Sequence, residues 1–165
     1  MPAAPSAAAL HELLDKQEIT ELQNRYMWAL DWRDAEMYAS CFTEDGRMLW
    51  PEGSAEGREA IRESCARMGA FYEKLAAASA PLKPFRLRHF LANRIFDIKG
   101  DRARSWAYWL DINNDNLQRW PQVPGYGYYE DNLLRTPDGW RFTSRMIYNE
   151  VSGESSAANP LRNLL

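Results

Sequence analysis

Two histidines occur in the 165 residues, and they stand in different settings. His11 lies near the N-terminus and reads as a surface side chain. His89 opens a stretch in which His89, Leu91, Asn93 and Ile95 alternate with Arg88, Phe90, Ala92 and Arg94, the period of a strand. An imidazole on the face of Leu91 and Ile95 points inward. It is either a core histidine satisfied by a hydrogen bond or a general acid–base, since an unperturbed imidazole titrates at about 6.5. Asp31 follows the apolar run Met27-Trp28-Ala29-Leu30 and precedes Trp32. It is either a local partner of a helix end or a half-buried carboxylate facing a cavity. Tyr26, five positions earlier, lies about 140° away on a regular helix. The two converge only where Asp31 leaves the helix or the pocket wraps its end.

Two further polar side chains interrupt aromatic stretches. Asp111 alternates with Ala103, Ser105, Ala107 and Trp109, a face of small residues that leaves room beside a sheet. Arg145 alternates with Thr143 and Ile147. It could decorate an edge, pair with Asp111, or anchor an acidic or carbonyl group. Cys41 and Cys65 fall in predicted helices without metal-ligand spacing and read as buried free thiols. With one inward histidine and no Cys/His cluster, no zinc site is expected. There is no Gly-rich phosphate loop before a helix and no nucleophile elbow, and neither a metal nor a cofactor is expected.

These groups need elements to hold them. Residues 1–8, small side chains and Pro, predict a loose arm, with a short helical stretch near Ala7. Asp15-Lys16-Gln17-Glu18 has the form of a capping box opening the main helix, which carries Ile19, Leu22, Tyr26 and Leu30 on one side. Asp34 is an apt N-cap for a second short helix. Thr43-Glu44-Asp45-Gly46 predicts a turn, Arg47–Trp50 a short strand, Gly53–Gly57 a loop, and Arg58–Leu75 a third helix. Ala76–Pro84 is an Ala/Pro-rich connector. Then Leu87–Ile98, Ala103–Asn113, Tyr126–Arg135 and Trp140–Val151 form long strands separated by turn residues. Helices followed by antiparallel strands is the α+β pattern. The expected organisation is an arm over 1–8, one domain over 9–151 and a tail over 152–165. A row of Trp106, Tyr108 and Leu110 is expected on the outer face.

Composition narrows the partners. Hydrophobic residues make up 45% and the formal net charge is −3, with no basic stripe, so a nucleic-acid footprint is not expected. No signal-peptide pattern opens the chain and no run approaches the ~20 apolar residues of a membrane span. The expectation is a soluble, cytoplasmic protein. Seven Trp, eight Tyr and six Phe suit a thick core or the wall of a hydrophobic pocket.

Several runs together resemble one family. They are Ile19-Thr20-Glu21-Leu22 with Tyr26 and Ala29-Leu30-Asp31; Cys41-Phe42-Thr43-Glu44-Asp45-Gly46; Gly57-Arg58-Glu59-Ala60-Ile61; Arg88-His89; Gly100-Asp101-Arg102-Ala103; and Asp138-Gly139-Trp140-Arg141-Phe142 with Arg145. Over residues 12–150 the chain resembles SnoaL-like members of the nuclear-transport-factor-2-like superfamily, closest in pattern to scytalone dehydratase and bile acid 7α-dehydratase. The resemblance implies a cone-shaped, curved antiparallel sheet wrapped around N-terminal helices and enclosing a pocket. It implies a cofactor-independent lyase or isomerase acting on a small hydrophobic carbonyl compound, with Tyr26, Asp31 and His89 as catalytic residues. Asp111, Arg145, Asn93, Trp109 and Tyr128 would bind substrate. The alternatives are an aldol-type polyketide cyclase and a non-catalytic subunit like those of ring-hydroxylating dioxygenases. Scytalone dehydratase has a second pocket histidine that this chain lacks. A homodimer or homotrimer is expected, because an open curved sheet leaves an aromatic outer face to cover.

Overall fold

A computed structural model describes residues 4–78, 85–151 and 159–162. In chain order the elements are α1 (Ala7–Trp32), α2 (Ala35–Ser40), β1 (Phe42–Trp50), β2 (Gly53–Glu56), α3 (Arg58–Ala78), β3 (Leu87–Lys99), β4 (Arg102–Asn113), β5 (Gln122–Thr136) and β6 (Gly139–Asn149). The strands form one curled sheet in the order β2-β1-β6-β5-β4-β3, backed by the helices. It is an α+β fold. Every pairing is antiparallel except β1 with β6, which is parallel. The chain between them, a helix and four strands, is ample for the crossover that a parallel pair needs.

The expected capping box is not the start of α1. Ser6 caps the helix, its hydroxyl accepting the Ala9 N–H at 3.2 Å, and the Ala-rich segment that follows is helical. Asp15 lies inside that helix. Its carboxylate accepts from Arg135 at 2.5 Å and from the Trp140 indole at 3.3 Å, tying α1 to β5 and β6. The arm is correspondingly shorter than 1–8, and residues 1–3 lie outside the described residues. At its other end α1 stops where Arg33 turns left-handed, with φ 58°, its N–H capping the Ala29 and Leu30 carbonyls. Gly69 of α3 makes room there: a Cβ at that position would meet the Arg33 side chain at 3.3 Å. Asp34 then caps α2, accepting the Met37 N–H at 2.9 Å.

Two irregularities decide which residues face the core. In β1 the predicted turn at Thr43–Gly46 is a bulge within a longer strand, where the register with β6 slips between Phe42 and Arg47. Gly46 is required, because a Cβ there would lie 2.8 Å from the Phe42 Cβ and 2.9 Å from the Thr43 carbonyl. The Gly53–Gly57 loop is in fact mostly strand β2. In β3 the register slips between Ala92 and Ile95, with Asn93 left-handed at φ 51°. His89 and Leu91 face the helices before this bulge; Phe96 and Ile98 do so after it.

The core joins the α1 stripe of Ile19, Leu22, Tyr26 and Leu30 to Phe42, Ile61, Trp109, Tyr129 and Phe142. The outer face carries Trp106, Tyr108 and Leu110 as expected, but Trp106 is buried, with the Arg104 guanidinium 4.7 Å above its ring. Part of the connector (79–84) and of the tail (152–158 and 163–165) lies outside the described residues. Among the described residues no helix is long and apolar enough to cross a membrane.

Candidate functional site

Asp31 stays on the last turn of α1, and β3 comes to it. The Nδ1 of His89 stands 2.7 Å from Asp31 Oδ1, and the His89 backbone N–H donates to both carboxylate oxygens at 3.2 and 3.0 Å. Since β3 is the edge strand, this N–H has no neighbouring strand to serve, and the carboxylate takes that place. A proton on Nδ1 is held by the acid, so Nε2 is the nitrogen left to act as base. Both side chains are nearly dry, 13% exposed for His89 and 8% for Asp31.

His89 forms part of the wall of a cavity of about 460 Å³ between the sheet and the helices. Tyr26, Tyr38, Trp109, Asp111 and Tyr129 also line it. Asp31 holds the imidazole from the end of α1, while Tyr26 lines the same cavity as His89 from the turn before. The Tyr26 hydroxyl is instead 2.6 Å from that of Tyr38, which also reaches the Met48 sulfur at 2.9 Å. Only one proton can lie between two phenol oxygens, so the other is held by a weak thioether acceptor or offered to the cavity. Burial raises both phenols above their ordinary value, partly offset at Tyr26 by the nearby Arg145 charge. Both therefore remain donors at neutral pH.

Asp111 lies directly across from His89 in the β3–β4 register, on the same face of the sheet. Burial raises its carboxyl above the ordinary value, while a charge on His89 pulls it back down. Gly125 lets that carboxylate stand beside β5, since a Cβ there would lie 2.4 Å from Asp111 Oδ1. Trp109 lines the cavity as the sequence suggests, its indole donating to the Tyr148 carbonyl at 3.1 Å. A backbone carbonyl thus fixes the ring in place.

Three of the residues expected to contact substrate do not line this cavity. Asn93 lies on the outer face because the β3 bulge reverses the alternation that placed it beside His89. Tyr128 also faces outward, stacked on Tyr148 with ring centres 4.3 Å apart; its neighbour Tyr129 faces the cavity. Arg145 is completely buried and pairs with Asp131, not Asp111, at 2.7 and 2.8 Å. Ser105 and Gln23 complete this network, each donating to Asp131, at 3.0 and 3.1 Å. The guanidinium also lies 4.1–4.3 Å from the Tyr26, Tyr129 and Phe142 ring centres. Sequence reading passed over Tyr38, Asp131 and Gln23. Asp131 carried a usable signal, an acid amid the aromatic β5 sequence, but Tyr38 looked like any core residue of a short helix. The two thiols are pushed up to about 11 by burial, so they are not nucleophiles at neutral pH. Among the described residues no cluster of His, Cys, Asp and Glu could hold a metal.

A helix-backed, incompletely closed sheet around a deep cavity is the NTF2-like, cystatin-like fold. An NTF2-like protein of this fold from Novosphingobium aromaticivorans is 26% identical over 85% of this chain and 84% of its own, with a TM-score of 0.70. The chain belongs to the SnoaL-like domain family, which matches residues 11–146. A variant of Rv3472, a Mycobacterium tuberculosis protein of unknown function, is 26% identical over 95% of this chain and 85% of its own, with a TM-score of 0.71. A third structure, also from Novosphingobium aromaticivorans, carries a provisional scytalone dehydratase label. It is 22% identical over 84% of this chain and 85% of its own, with a TM-score of 0.68. No curated protein matches the sequence.

Proposed function

We propose that the chain is a lyase of the dehydratase type, eliminating water from a small hydrophobic hydroxy-carbonyl compound without a cofactor. The observation that carries this reading is the His89–Asp31 pair at 2.7 Å, with the imidazole on the wall of a mostly apolar cavity. The Tyr26–Tyr38 pair offers its free proton to the carbonyl oxygen. His89 Nε2 removes the proton from the carbon beside that carbonyl, and the enolate charge is held by the phenol. As the carbonyl re-forms, the C=C bond closes and the C–O bond breaks, and Asp111 donates its proton to the departing hydroxide. The products are an enone and water. A positive charge on His89 weakens the hold of Asp111 on its proton, so the first transfer favours the second. Return of the imidazolium proton to Asp111 resets the pair.

A proton-shifting isomerase would use the same first step, and so would an aldol-type cyclase. The open cavity favours either over a binding or structural subunit, whose cone would be filled with side chains. The test is a screen of hydroxy-ketones for growth of conjugated enone absorbance, with His89→Ala as the control. Loss of a positioned base should lower turnover by about 10²–10⁴-fold. Wild-type turnover in that variant would remove the proposal.

A further inference from the structure

A second cavity, of about 410 Å³, lies on the far side of the dyad, between the outer surface of α1 and the edge strand β3. Its walls are Trp28, Trp32 and Phe90, with Arg88 and Arg94 at its borders and Asp31 and His89 at its base. Trp28 is 64% exposed and Trp32 62%, one helical turn apart with ring planes 5° from parallel. Two indoles left in water at adjacent turns form an apolar surface that nothing in the described chain covers.

The charges on this surface are unbalanced. Arg88 donates to the Leu87 carbonyl at 2.6 Å and lies 4.7 Å over the Trp32 ring. Arg94 donates to the side-chain oxygens of Gln23 and Asn24. Among the described residues neither guanidinium pairs with a carboxylate, although the chain as a whole is acidic. Asp31 keeps its charge while it accepts from His89, and the two guanidinium groups outnumber it along the groove.

We propose that this groove is a binding site for a flat aromatic carboxylate, separate from the inner cavity. The indoles and Phe90 would take the ring system, and the guanidinium groups would take the carboxylate. The space is of the size that holds a small molecule. A protein partner would need roughly 800 Å² on this side, well beyond the reach of a cleft this small. The groove would bind its ligand whatever reaction the inner cavity performs.

Calorimetry with 2-naphthoate and its neutral isostere 2-naphthylmethanol tests this. The acid should bind one to one and at least about tenfold tighter than the alcohol. Trp28→Ala changes an exposed side chain and Arg88→Gln a partly buried one at the sheet edge; both should keep the fold, checked by circular dichroism, while each weakens the acid by about tenfold. Ser64→Phe, which narrows only the inner cavity, should leave naphthoate binding unchanged. The proposal is overturned by equal affinity for acid and alcohol, by undetectable binding, or by loss of binding in Ser64→Phe with Arg88→Gln unaffected. A fall in molecular mass in solution on Trp28→Ala also overturns it, since the face would then be an interface between copies.

Discussion

At the scale of the residue, the His89–Asp31 contact is both a catalytic arrangement and a structural one. The carboxylate orients the ring and also satisfies a backbone N–H of the edge strand. Asp31→Asn keeps the shape but presents an amide that can donate to Nδ1, favouring the tautomer with the proton on Nε2. Turnover on the enone-forming substrate should then fall by about 10²-fold or more, with thermal stability changing far less. Equal losses of both would show that Asp31 serves only the fold. Asp111 bears on pH. Burial raises its folded pKa, so its contribution to stability is full below the ordinary carboxyl value and is lost as pH rises through the folded one. Asp111→Asn should therefore gain stability relative to the wild type as pH is raised from about 3 to 7, followed by urea unfolding across that range. A constant difference between the two proteins would place the carboxyl in solvent.

At the scale of the element, one row of the sheet locks the parts together. Ser105, Asp131, Arg145 and Met48 are successive cross-strand partners on β4, β5, β6 and β1, and Gln23 of α1 reaches down to the same carboxylate. Burial works against the Arg145 charge, but Asp131 more than offsets it and holds the guanidinium above its ordinary value. Removing one member leaves the other charge unpaired in the interior. Arg145→Met should cost about 3–5 kcal/mol by urea denaturation, whereas the double variant with Asp131→Leu should recover most of that loss. Two independent, additive losses would mean that the pair is not coupled. The four long strands and the helix periods were plain in the sequence, because alternation and turn residues mark them. The β3 bulge was not, and it alone misplaced Asn93: a left-handed asparagine within a strand leaves no trace in a hydrophobic pattern. Tyr128 and Tyr129 were confused for a similar reason, since both neighbours are aromatic and either could have faced inward.

At the scale of the molecule, the sheet has two apolar faces and only one set of helices. The inner face holds the cavity. On the outer one, Leu110 pairs in register with Tyr126, and Tyr108 with Tyr128, all on one side. Tyr108, Leu110 and Tyr126 remain substantially exposed. We expect a second copy of the chain to cover them, giving a homodimer or homotrimer by light scattering. Tyr108→Glu should shift that mass toward the monomer; an unchanged monomer in both proteins would show that the face is simply solvated.

Apart from β2, the sequence by itself determined the kinds of element and their order, and with them the family and the identity of the inward histidine. Each of these is written in local periodicity and in short motifs, which depend on neighbours only a few residues away. Tertiary structure decided what each polar group is for. Arg145 could equally have met Asp111 or Asp131, and Tyr26 could have faced Asp31 or Tyr38. Those choices rest on strand register, on two bulges and on the angle at which α1 crosses the sheet, and such distances between remote segments are fixed only once the whole core has closed.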